Sequence, residues 1–365
     1  MTIVPPESVL IIRMSAIGDV IHALPALDLL RQLLPKARIG WLVEELGAPL
    51  LMHHPHIDKL YVIPRKRWRK NFRKMLFPEI MPFYRKIRAD HWDASLDFQG
   101  ISKSGISAWA CGAKRRVGFA GENSREVNAL FNHVRVAPKP GDRHVVQQNI
   151  RQLEALGLRI PEQLPRGTIR LLPEEVDAMR AKLQEVNWRG EKLLAINPGA
   201  GFITKRWQPE NFAKLAKALI ARSGHRPIVL WGPGEEHLRD AVAAGLAEHD
   251  VILAPRTSVR ELAVLVSLCS FFIGGDTGPT HMAGIFGVPV LSIFGATDAQ
   301  RNCPWPSTGT DRAGQWVQRL ELPCIACRKR TCPLSGDAHL ACILDFPVER
   351  VLAEAEPWLC TVLPR

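Results

Sequence analysis

Residues 8–34, SVLIIRMSAIGDVIHALPALDLLRQLL, contain the pattern that decides the fold. The apolar run at 8–13 predicts a buried strand, and the helical spacing of apolar residues over 20–34 predicts an amphipathic helix after it. A strand followed at once by a helix begins a βαβ unit, in which parallel strands are covered by helices on both faces. We therefore expect an α/β protein.

The same alternation recurs along the whole chain. We predict further strands at 39–43, 60–63, 94–97, 193–197, 227–231, 251–254, 271–274 and 289–294, and a helix at 211–222. The strand series restarts at residue 193 after a helical stretch with prolines at 145–185, which predicts a linker near 161–173. We expect two doubly wound domains, 1–168 and 169–345, facing a central cleft, and a C-terminal helix or tail at 346–365.

Composition excludes several classes of protein. With 365 residues, 46% hydrophobic and 23% charged, the chain is neither disordered nor fibrous. The formal charge of +12 predicts an anionic partner, which leaves nucleic acid, an acidic membrane and phosphorylated substrates as candidates. The opening segment lacks the pattern of a signal peptide, and the apolar stretch at 278–299 is broken by prolines and glycines. We expect a cytoplasmic protein whose eight cysteines are thiols or metal ligands.

Two common nucleotide-binding motifs are missing. No G-x-G-x-x-G follows the first predicted strand, so the dinucleotide-binding fingerprint is absent. Gly100 and Gly105 have the spacing of a phosphate loop, but Ile106 stands where that loop needs lysine. The sequence therefore excludes both P-loop and kinase chemistry.

Asp19 lies where the first predicted strand gives way to the first helix. Asp19 could simply cap that helix, because a carboxylate at a helix start is favourable. Alternatively, a carboxylate at the carboxyl end of a parallel strand faces the ligand site and can act as a general base. His22, one turn later, could orient Asp19, but we expect it on the surface.

The second half carries two similar signals. Residues 197–207, NPGAGFITKRW, follow one predicted strand, and residues 274–281, GGDTGPTH, lie between another strand and a helix. Glycines, hydroxyls and free N–H groups at a helix start form an anion site, and Lys205 adds a positive charge. Each motif alone is typical of an ordinary turn, but the pair indicates a diphosphate site.

These motifs resemble those of the bacterial lipopolysaccharide heptosyltransferases. The resemblance rests on SAIGDVIHALPAL (15–27), TKRW (204–207), WGPGEE (231–236) and GDTGPTH (275–281), and it runs across nearly the whole chain. In the first half, GWLVEE (40–45), RWRK (67–70) and DFQG (97–100) with Lys103-Ser104 are most similar to heptosyltransferase I. The resemblance implies a GT-B fold, ADP-heptose as donor and Kdo-lipid A as acceptor.

The resemblance also implies roles for individual residues. Asp19 corresponds to the catalytic base of an inverting transfer, Lys205 to the phosphate-binding lysine and Asp276 to the residue that holds the donor heptose. The other implied donor residues are Thr204, Thr277, Gly278, His281 and one of Glu235 or Glu236. The expected acceptor residues are Arg67, Arg69, Lys70, Gln99 and Lys103. No cofactor is expected, since ADP-heptose is a substrate.

Residues 65–74, RKRWRKNFRK, hold seven basic residues in ten. With Trp68 and Phe72 interleaved, the run could be a solvated face or a nucleic-acid patch. We expect instead a loop that binds the anionic acceptor and the anionic inner membrane, with Trp68 against sugar or acyl surface. A heptosyltransferase II- or III-type enzyme acting on a later acceptor, and a basic nucleic-acid-binding protein, remain the alternatives.

A cysteine-rich segment departs from the heptosyltransferase I pattern. Its Cys324-x2-Cys327-x4-Cys332 spacing with His339 and Cys342 resembles the tail of heptosyltransferase II-like members. Such a density of cysteines is typical of a zinc site, but the spacing is irregular. The sequence favours thiols without metal over structural zinc.

Overall fold

The computed structural model describes residues 4–247, 249–306 and 314–363. The chain divides into two compact units, Met1–Arg170 (unit 1) and Leu171–Arg365 (unit 2). The sequence placed this division after residue 168.

Unit 1 is a six-stranded parallel sheet in the order β3-β2-β1-β4-β5-β6. Its strands are β1 Ser8–Ile12, β2 Arg38–Glu44, β3 Lys59–Ile63, β4 Ala94–Asp97, β5 Arg115–Phe119 and β6 Val134–Val136. Its helices are α1 Ile17–Ile21, α2 Leu24–Leu33, α3 Ala48–Leu51, α4 Arg65–Lys70, α5 Phe72–Met75, α6 Met81–Arg88, α7 Ser102–Ala110 and α8 Val145–Arg151. Every residue of β1 and β4 is buried, as expected where helices cover both faces of a sheet.

Unit 2 is a second six-stranded parallel sheet, in the order β12-β11-β10-β7-β8-β9. Its strands are β7 Leu193–Asn197, β8 Arg226–Val229, β9 Ile252–Leu253, β10 Phe271–Gly275, β11 Val290–Phe294 and β12 Gly314–Gln318. Its helices are α9 Pro173–Glu185, α10 Pro209–Ser223, α11 Glu236–Gly245, α12 Val259–Ser267, α13 Gly278–Phe286, α14 Ala299–Asn302, α15 Ala341–Leu344 and α16 Val348–Val362.

Both units share one doubly wound topology. Each sheet begins at a central strand, runs outward to one edge, and returns to build the other edge from the centre. The strand order reverses between β1 and β4 in unit 1 and between β7 and β10 in unit 2. Loops that leave neighbouring strands on opposite sides create a crevice at such a point, and ligands bind there. The predicted α/β, doubly wound fold class is confirmed.

Three strands were missed by the sequence patterns, for physical reasons. β5 begins with Arg115 and Arg116, β6 is a half-exposed edge strand of three residues, and β12 contains two glutamines. None of them has the continuous apolar run that marks a buried strand. The helix predicted at 20–34 is divided into α1 and α2, with Pro25 in the first turn of α2.

Residues 65–88 correct one prediction. They form α4, α5, a π-helical turn at Leu76–Ile80 and α6, whereas a loop was expected for the basic run at 65–74. Trp68 is buried, and its ring packs edge-on against Phe83. Trp68 therefore belongs to the core of unit 1. The prediction that its ring contacts sugar or acyl chains is wrong.

The C-terminal residues are an integral part of unit 2. α16 buries Val348, Val351, Ala355 and Leu359 in the same hydrophobic core as Trp207 and Phe212. The helix or tail expected at 346–365 is the helix α16, which completes the second unit over its described part. Across the described residues, no helix has both the length and the apolar character needed to cross a membrane.

Candidate functional site

Three charged or ionisable side chains meet where β7 and β10 end. Lys205 lies in the 3₁₀ turn Ile203–Lys205 that follows β7, Asp276 follows β10 directly, and His281 lies in α13. Lys205 Nζ lies 2.6 Å from Asp276 Oδ2, and His281 Nε2 lies 3.1 Å from Asp276 Oδ1. The two motifs predicted as a pair are thus brought together by the pairing of β7 with β10.

Asp276 is an ionised carboxylate in a buried position. Burial acts to raise its pKa, but the hydrogen bond with His281 and the positive charge of Lys205 outweigh burial. The pKa of Asp276 therefore lies well below its usual range. A carboxylate so held is an acceptor of fixed orientation for hydroxyl groups, while Lys205 offers positive charge beside it.

The start of α13 lies next to this cluster. Thr277 caps the helix with an extended backbone, and its Oγ1 accepts a hydrogen bond of 3.0 Å from Asn197 Nδ2. The Oγ1 atoms of Thr277 and Thr280 lie 2.9 Å apart. The first N–H groups of a helix have no partner within the helix, so the N–H groups of Thr277 and Gly278 form a place for an anion, whereas Pro279 has no N–H.

Glu235 and Glu236 differ in position. Glu235 turns back over its own loop, where its Oε2 accepts the Gly232 N–H at 2.9 Å. Its carboxylate also lies against Gly199, so closely that a Cβ on Gly199 would stand 2.2 Å from Oε2. Glu236 is exposed in the first turn of α11. Only Glu235 therefore contacts the loop that follows β7.

Thr204 holds a neighbouring segment in place. Its side chain is buried, and the hydroxyl donates to the carbonyl of Lys329 at 2.8 Å, so it is already engaged within the protein. Two aromatic–cation contacts nearby were not foreseen: the Phe202 ring centroid lies 5.8 Å from Lys205 Nζ and 4.6 Å from the Arg330 guanidinium. Arg330 is remote from the TKRW motif in sequence, which is why the pattern missed it.

In unit 1, Asp19 caps the first helix, and its carboxylate is still partly exposed. Its Oδ2 accepts the Ala16 N–H at 3.1 Å, which caps α1, and its Oδ1 lies 2.5 Å from Arg13 Nη2. The side chain remains 43% exposed, so a substrate can reach it. Arg13 was missed, although it is the charged residue within the apolar run at 8–14. His22, expected on the surface, is buried, and its ring packs edge-on against His144.

Gln99 and Lys103 lie at the carboxyl end of β4. Gln99 Oε1 accepts the Met14 N–H at 2.8 Å and so links the loops after β1 and β4. Lys103 pairs with the buried Glu44, whose other oxygen lies 2.7 Å from Arg65 Nη1. The sequence did not identify Glu44 or Arg65 as partners of Lys103.

The remaining basic residues predicted for the acceptor lie on the outside of unit 1. Arg69 and Lys70 are exposed in α4, and Arg67 pairs with Glu79 while its side chain stays 68% exposed. All three follow β3 and lie beyond its carboxyl end. They are accessible to a large anionic molecule.

Two groups of side chains have the composition of metal sites. Among the described residues, Asp28, His54 and His56 have ligand atoms within 4.8 Å of one another. However, the His54 ring nitrogens contact the Thr168 carbonyl and the His56 N–H, and burial lowers the pKa of His54 to about 4. This group therefore holds the end of unit 1 in place.

The second group consists of Cys324, Cys327, Cys332 and Cys342. All four line one cavity of about 210 Å³ in unit 2. Burial and the three neighbouring cysteines raise the pKa of Cys342 to about 11. The structure thus brings together the cysteines that the sequence left as thiols or zinc ligands.

Two doubly wound α/β units in one chain are the architecture of the GT-B glycosyltransferases. The sequence profile of glycosyltransferase family 9 (heptosyltransferase) matches residues 80–337. The chain belongs to this family and is an enzyme of the heptosyltransferase type.

Individual relatives agree with this assignment. Lipopolysaccharide heptosyltransferase 1 of Pseudomonas aeruginosa is 30% identical over 349 residues, which cover 94% of this chain and 92% of the relative. Lipooligosaccharide heptosyltransferase 2 of Campylobacter jejuni is 31% identical over 173 residues, which cover 46% of this chain and 51% of the relative.

Solved structures show the same fold. A family 9 glycosyltransferase of Veillonella parvula superposes with a TM-score of 0.77 at 20% identity, covering 97% of both chains. Escherichia coli heptosyltransferase WaaC with ADP superposes with a TM-score of 0.72 at 22% identity, covering 96% of this chain and 99% of that one.

The contact of Glu235 with Gly199 gives a paired test of the site in unit 2. Gly199→Ala places a methyl group where the Glu235 carboxylate lies, so that carboxylate must move. If Glu235 binds the nucleotide, we expect about tenfold weaker ADP binding by calorimetry, the loss of one charge-assisted hydrogen bond.

Gly201→Ala is the matched control, because a Cβ at Gly201 has no neighbour within 4 Å. It should bind ADP as the wild type does. Equal affinities for the two variants would show that Glu235 does not contact the nucleotide.

Proposed function

We propose that this protein transfers L-glycero-D-manno-heptose from ADP-heptose to Kdo of the lipopolysaccharide inner core, with Kdo-lipid A as acceptor. The observation that carries this proposal is the Lys205–Asp276–His281 cluster beside the start of α13. It combines acceptors for sugar hydroxyls with donors and positive charge for a diphosphate, and a nucleotide-activated sugar needs both.

We assign the donor to unit 2. The N–H groups at Thr277 and Gly278 and the ammonium of Lys205 hold the diphosphate, because both present positive charge at one point. Asp276, oriented by His281 and Lys205, accepts hydrogen bonds from heptose hydroxyls. Glu235, rather than Glu236, accepts from the ribose hydroxyls, since Glu235 contacts the loop that follows β7. Thr204 contributes by holding Lys329.

We assign the base to unit 1. Asp19 takes the proton of the attacking Kdo hydroxyl, whose oxygen forms a bond to the anomeric carbon of heptose. The bond from that carbon to the diphosphate breaks on the opposite face, and ADP leaves with the electron pair, so the configuration inverts. Arg13 and the Ala16 N–H fix the orientation of the Asp19 carboxylate. Lys205 and the α13 N–H groups stabilise the charge that develops on ADP.

The choice of acceptor is supported by coverage among the relatives. The heptosyltransferase 1 of Pseudomonas aeruginosa aligns with 94% of this chain, whereas the heptosyltransferase 2 of Campylobacter jejuni aligns with 46%. Heptosyltransferase 3 of Escherichia coli aligns with 79% of this chain at 28% identity, so the preference for heptosyltransferase I rests on the longer alignment with the Pseudomonas aeruginosa relative.

The proposal is tested by ADP release from ADP-heptose with a set of acceptors. We expect ADP release with Kdo-lipid A and a heptosylated product by mass spectrometry. ADP release with heptosyl-Kdo-lipid A but not with Kdo-lipid A would assign the enzyme to the heptosyltransferase II or III type. Absence of transfer to either acceptor, from a protein that binds ADP, would refute the lipopolysaccharide assignment.

Asp19→Asn tests the base. The amide keeps the size of the side chain but cannot take a proton, so kcat should fall about 10²–10⁴-fold. Affinity for ADP-heptose, measured by calorimetry, should not change, because the base acts on the acceptor. Glu162→Gln, an exposed carboxylate in the same unit, is the control and should keep full kcat. A near-normal kcat for Asp19→Asn would leave Asp19 as a helix cap only.

The surface formed by residues 65–88 fits the acceptor and the membrane that carries it. It holds ten basic residues and one acidic residue, Glu79. Phe72 and Phe77 are 59% and 77% exposed on the same segment. Positive charge and exposed aromatic rings together are typical of proteins that rest on an anionic lipid surface. We infer that this surface holds the enzyme on the cytoplasmic face of the inner membrane.

Arg67→Ala with Arg69→Ala tests the acceptor part of this surface. The double variant should raise the KM for Kdo-lipid A and leave the KM for ADP-heptose nearly unchanged, because guanidinium groups bind carboxylates and phosphates. High salt should act on the wild type in the same direction, since exposed charges are screened over about 8 Å at 0.15 M ionic strength.

The matched control is Lys36→Ala with Lys114→Ala. These exposed lysines precede β2 and β5 and so lie at the amino ends of the strands, away from the loops that form the site. Loss of both charges should leave both KM values unchanged. A rise in the KM for ADP-heptose in the Arg67 and Arg69 variant would instead indicate a donor role or misfolding.

The membrane part is measured separately, by sedimentation with vesicles that contain anionic phospholipid. Phe72→Ser with Phe77→Ser should sediment less than the wild type, whereas Leu130→Ser, an exposed residue outside this surface, should not. If the wild type fails to sediment with the vesicles, the membrane assignment is wrong.

A further inference from the structure

The four cysteines of the segment between β12 and α16 share one cavity. Cys324, Cys327, Cys332 and Cys342 line it together with Thr204 and Lys329, among others. The other four cysteines lie elsewhere, on α7, α12, α14 and α16 or next to them: Cys111, Cys269, Cys303 and Cys360. Half of the cysteines in the chain thus converge on a single point of unit 2.

This segment has little regular structure to hold it. Between β12 and α16 the backbone forms only the 3₁₀ turn Gly336–Ala338 and the four-residue helix α15. Ala326, Arg328 and Leu340 adopt left-handed backbone conformations with φ of 60°, 58° and 56°. Each such residue costs about 1–2 kcal/mol, and the conformation persists where surrounding interactions hold it. An additional bond between residues of this segment would supply such an interaction.

One backbone N–H group of the segment already points at a cysteine sulfur atom. The Leu340 N–H donates to Cys332 Sγ at 3.4 Å, and N–H groups that point at sulfur stabilise thiolates in metal sites. His339 is not among the residues that line the cavity, and its Nδ1 lies 2.8 Å from the Leu334 carbonyl oxygen. The ligand set available here is therefore four sulfur atoms.

We propose that Cys324, Cys327, Cys332 and Cys342 bind one thiolate-preferring metal ion, zinc or iron. Four cysteine sulfurs in tetrahedral arrangement select these metals, and the Cys-x2-Cys pair is typical of such sites. Binding replaces the four thiol protons by four metal–sulfur bonds, so four protons leave to solvent.

The site closes around the ion. Metal–sulfur bonds of about 2.3 Å set the sulfur atoms about 3.8 Å apart. In the described structure these cysteines are not among the side chains whose ligand atoms lie within 4.8 Å of one another. Binding therefore draws the thiols inward into the cavity of about 210 Å³ and tightens the segment that carries them.

The segment that the metal tightens contacts the donor site of unit 2. This part of the inference rests on the proposed function. Lys329 and Arg330 lie between Cys327 and Cys332, and Lys329 is bound to Thr204 at 2.8 Å. Arg330 stacks on Phe202, whose ring also contacts Lys205. The metal thus holds two basic residues beside the phosphate-binding lysine, and its loss should weaken ADP binding without removing any residue that contacts ADP.

Elemental analysis of the purified full-length protein tests the site. We expect about one zinc or iron atom per chain, with visible sulfur-to-iron charge-transfer bands only if iron is the metal. Cys327→Ser with Cys332→Ser should lose the metal. Cys360→Ser, which removes an exposed cysteine of α16, is the matched control and should retain it.

Metal removal provides a test that does not depend on how the variants fold. Wild-type protein stripped with a chelator should melt at a lower temperature, and zinc chloride or anaerobic ferrous salt should restore the melting temperature. Metal-free wild-type protein with eight titratable thiols, or a disulfide within this group by mass spectrometry, would overturn the proposal. Unchanged ADP affinity after stripping would refute the coupling alone and leave both the metal site and the proposed transfer standing.

Discussion

The parallel pairing of β7 with β10, which sets Asn197 opposite Gly274, is the constraint on which the rest of the proposed donor site depends. These two strands are remote in sequence, and each ends in a loop rich in glycine. The pairing brings the loops into contact so tightly that a Cβ on Gly275 would lie 3.0 Å from the carbonyl oxygen of Lys205. A larger residue here would press on that carbonyl, so glycine favours the close approach of the loop that carries Lys205.

Two charged pairs lie in buried positions beside these loops, although burial alone opposes charge. Asp276 and Glu44 are both buried carboxylates, and each is paired with two ionisable groups: Lys205 and His281, or Lys103 and Arg65. A buried ion pair gains little net stability, because removing both partners from water costs about as much as their attraction returns. Such pairs are better understood as devices that fix side-chain orientation. In both units they occur beside the loops at the switch point, where orientation matters for binding.

The two units use one topology for different chemistry. In unit 1 the loop after β1 presents an exposed carboxylate, Asp19, and the helices after β3 present exposed cations. In unit 2 the loops after β7 and β10 present Lys205 and the N–H groups of α13. The backbone frame is the same, so under the proposed function the loop residues alone make one unit suited to an acceptor with a base and the other to a diphosphate. This division of roles is what a transferase with two substrates requires.

The sequence by itself determined the α/β class, most of the strands and the positions of the two glycine-rich motifs after β7 and β10, because these depend on local periodicity and on glycine-rich turns. Tertiary structure alone decided which side chains meet. Arg13 against Asp19, Glu44 between Lys103 and Arg65, Glu235 over Gly199 and Arg330 over Phe202 all join residues whose partners no local pattern specifies. The same reason explains why the sequence did not predict the burial of Trp68 or the convergence of the four cysteines on one cavity. Burial and convergence follow from how strands and helices pack, and packing depends on distances through space that spacing along the chain does not encode.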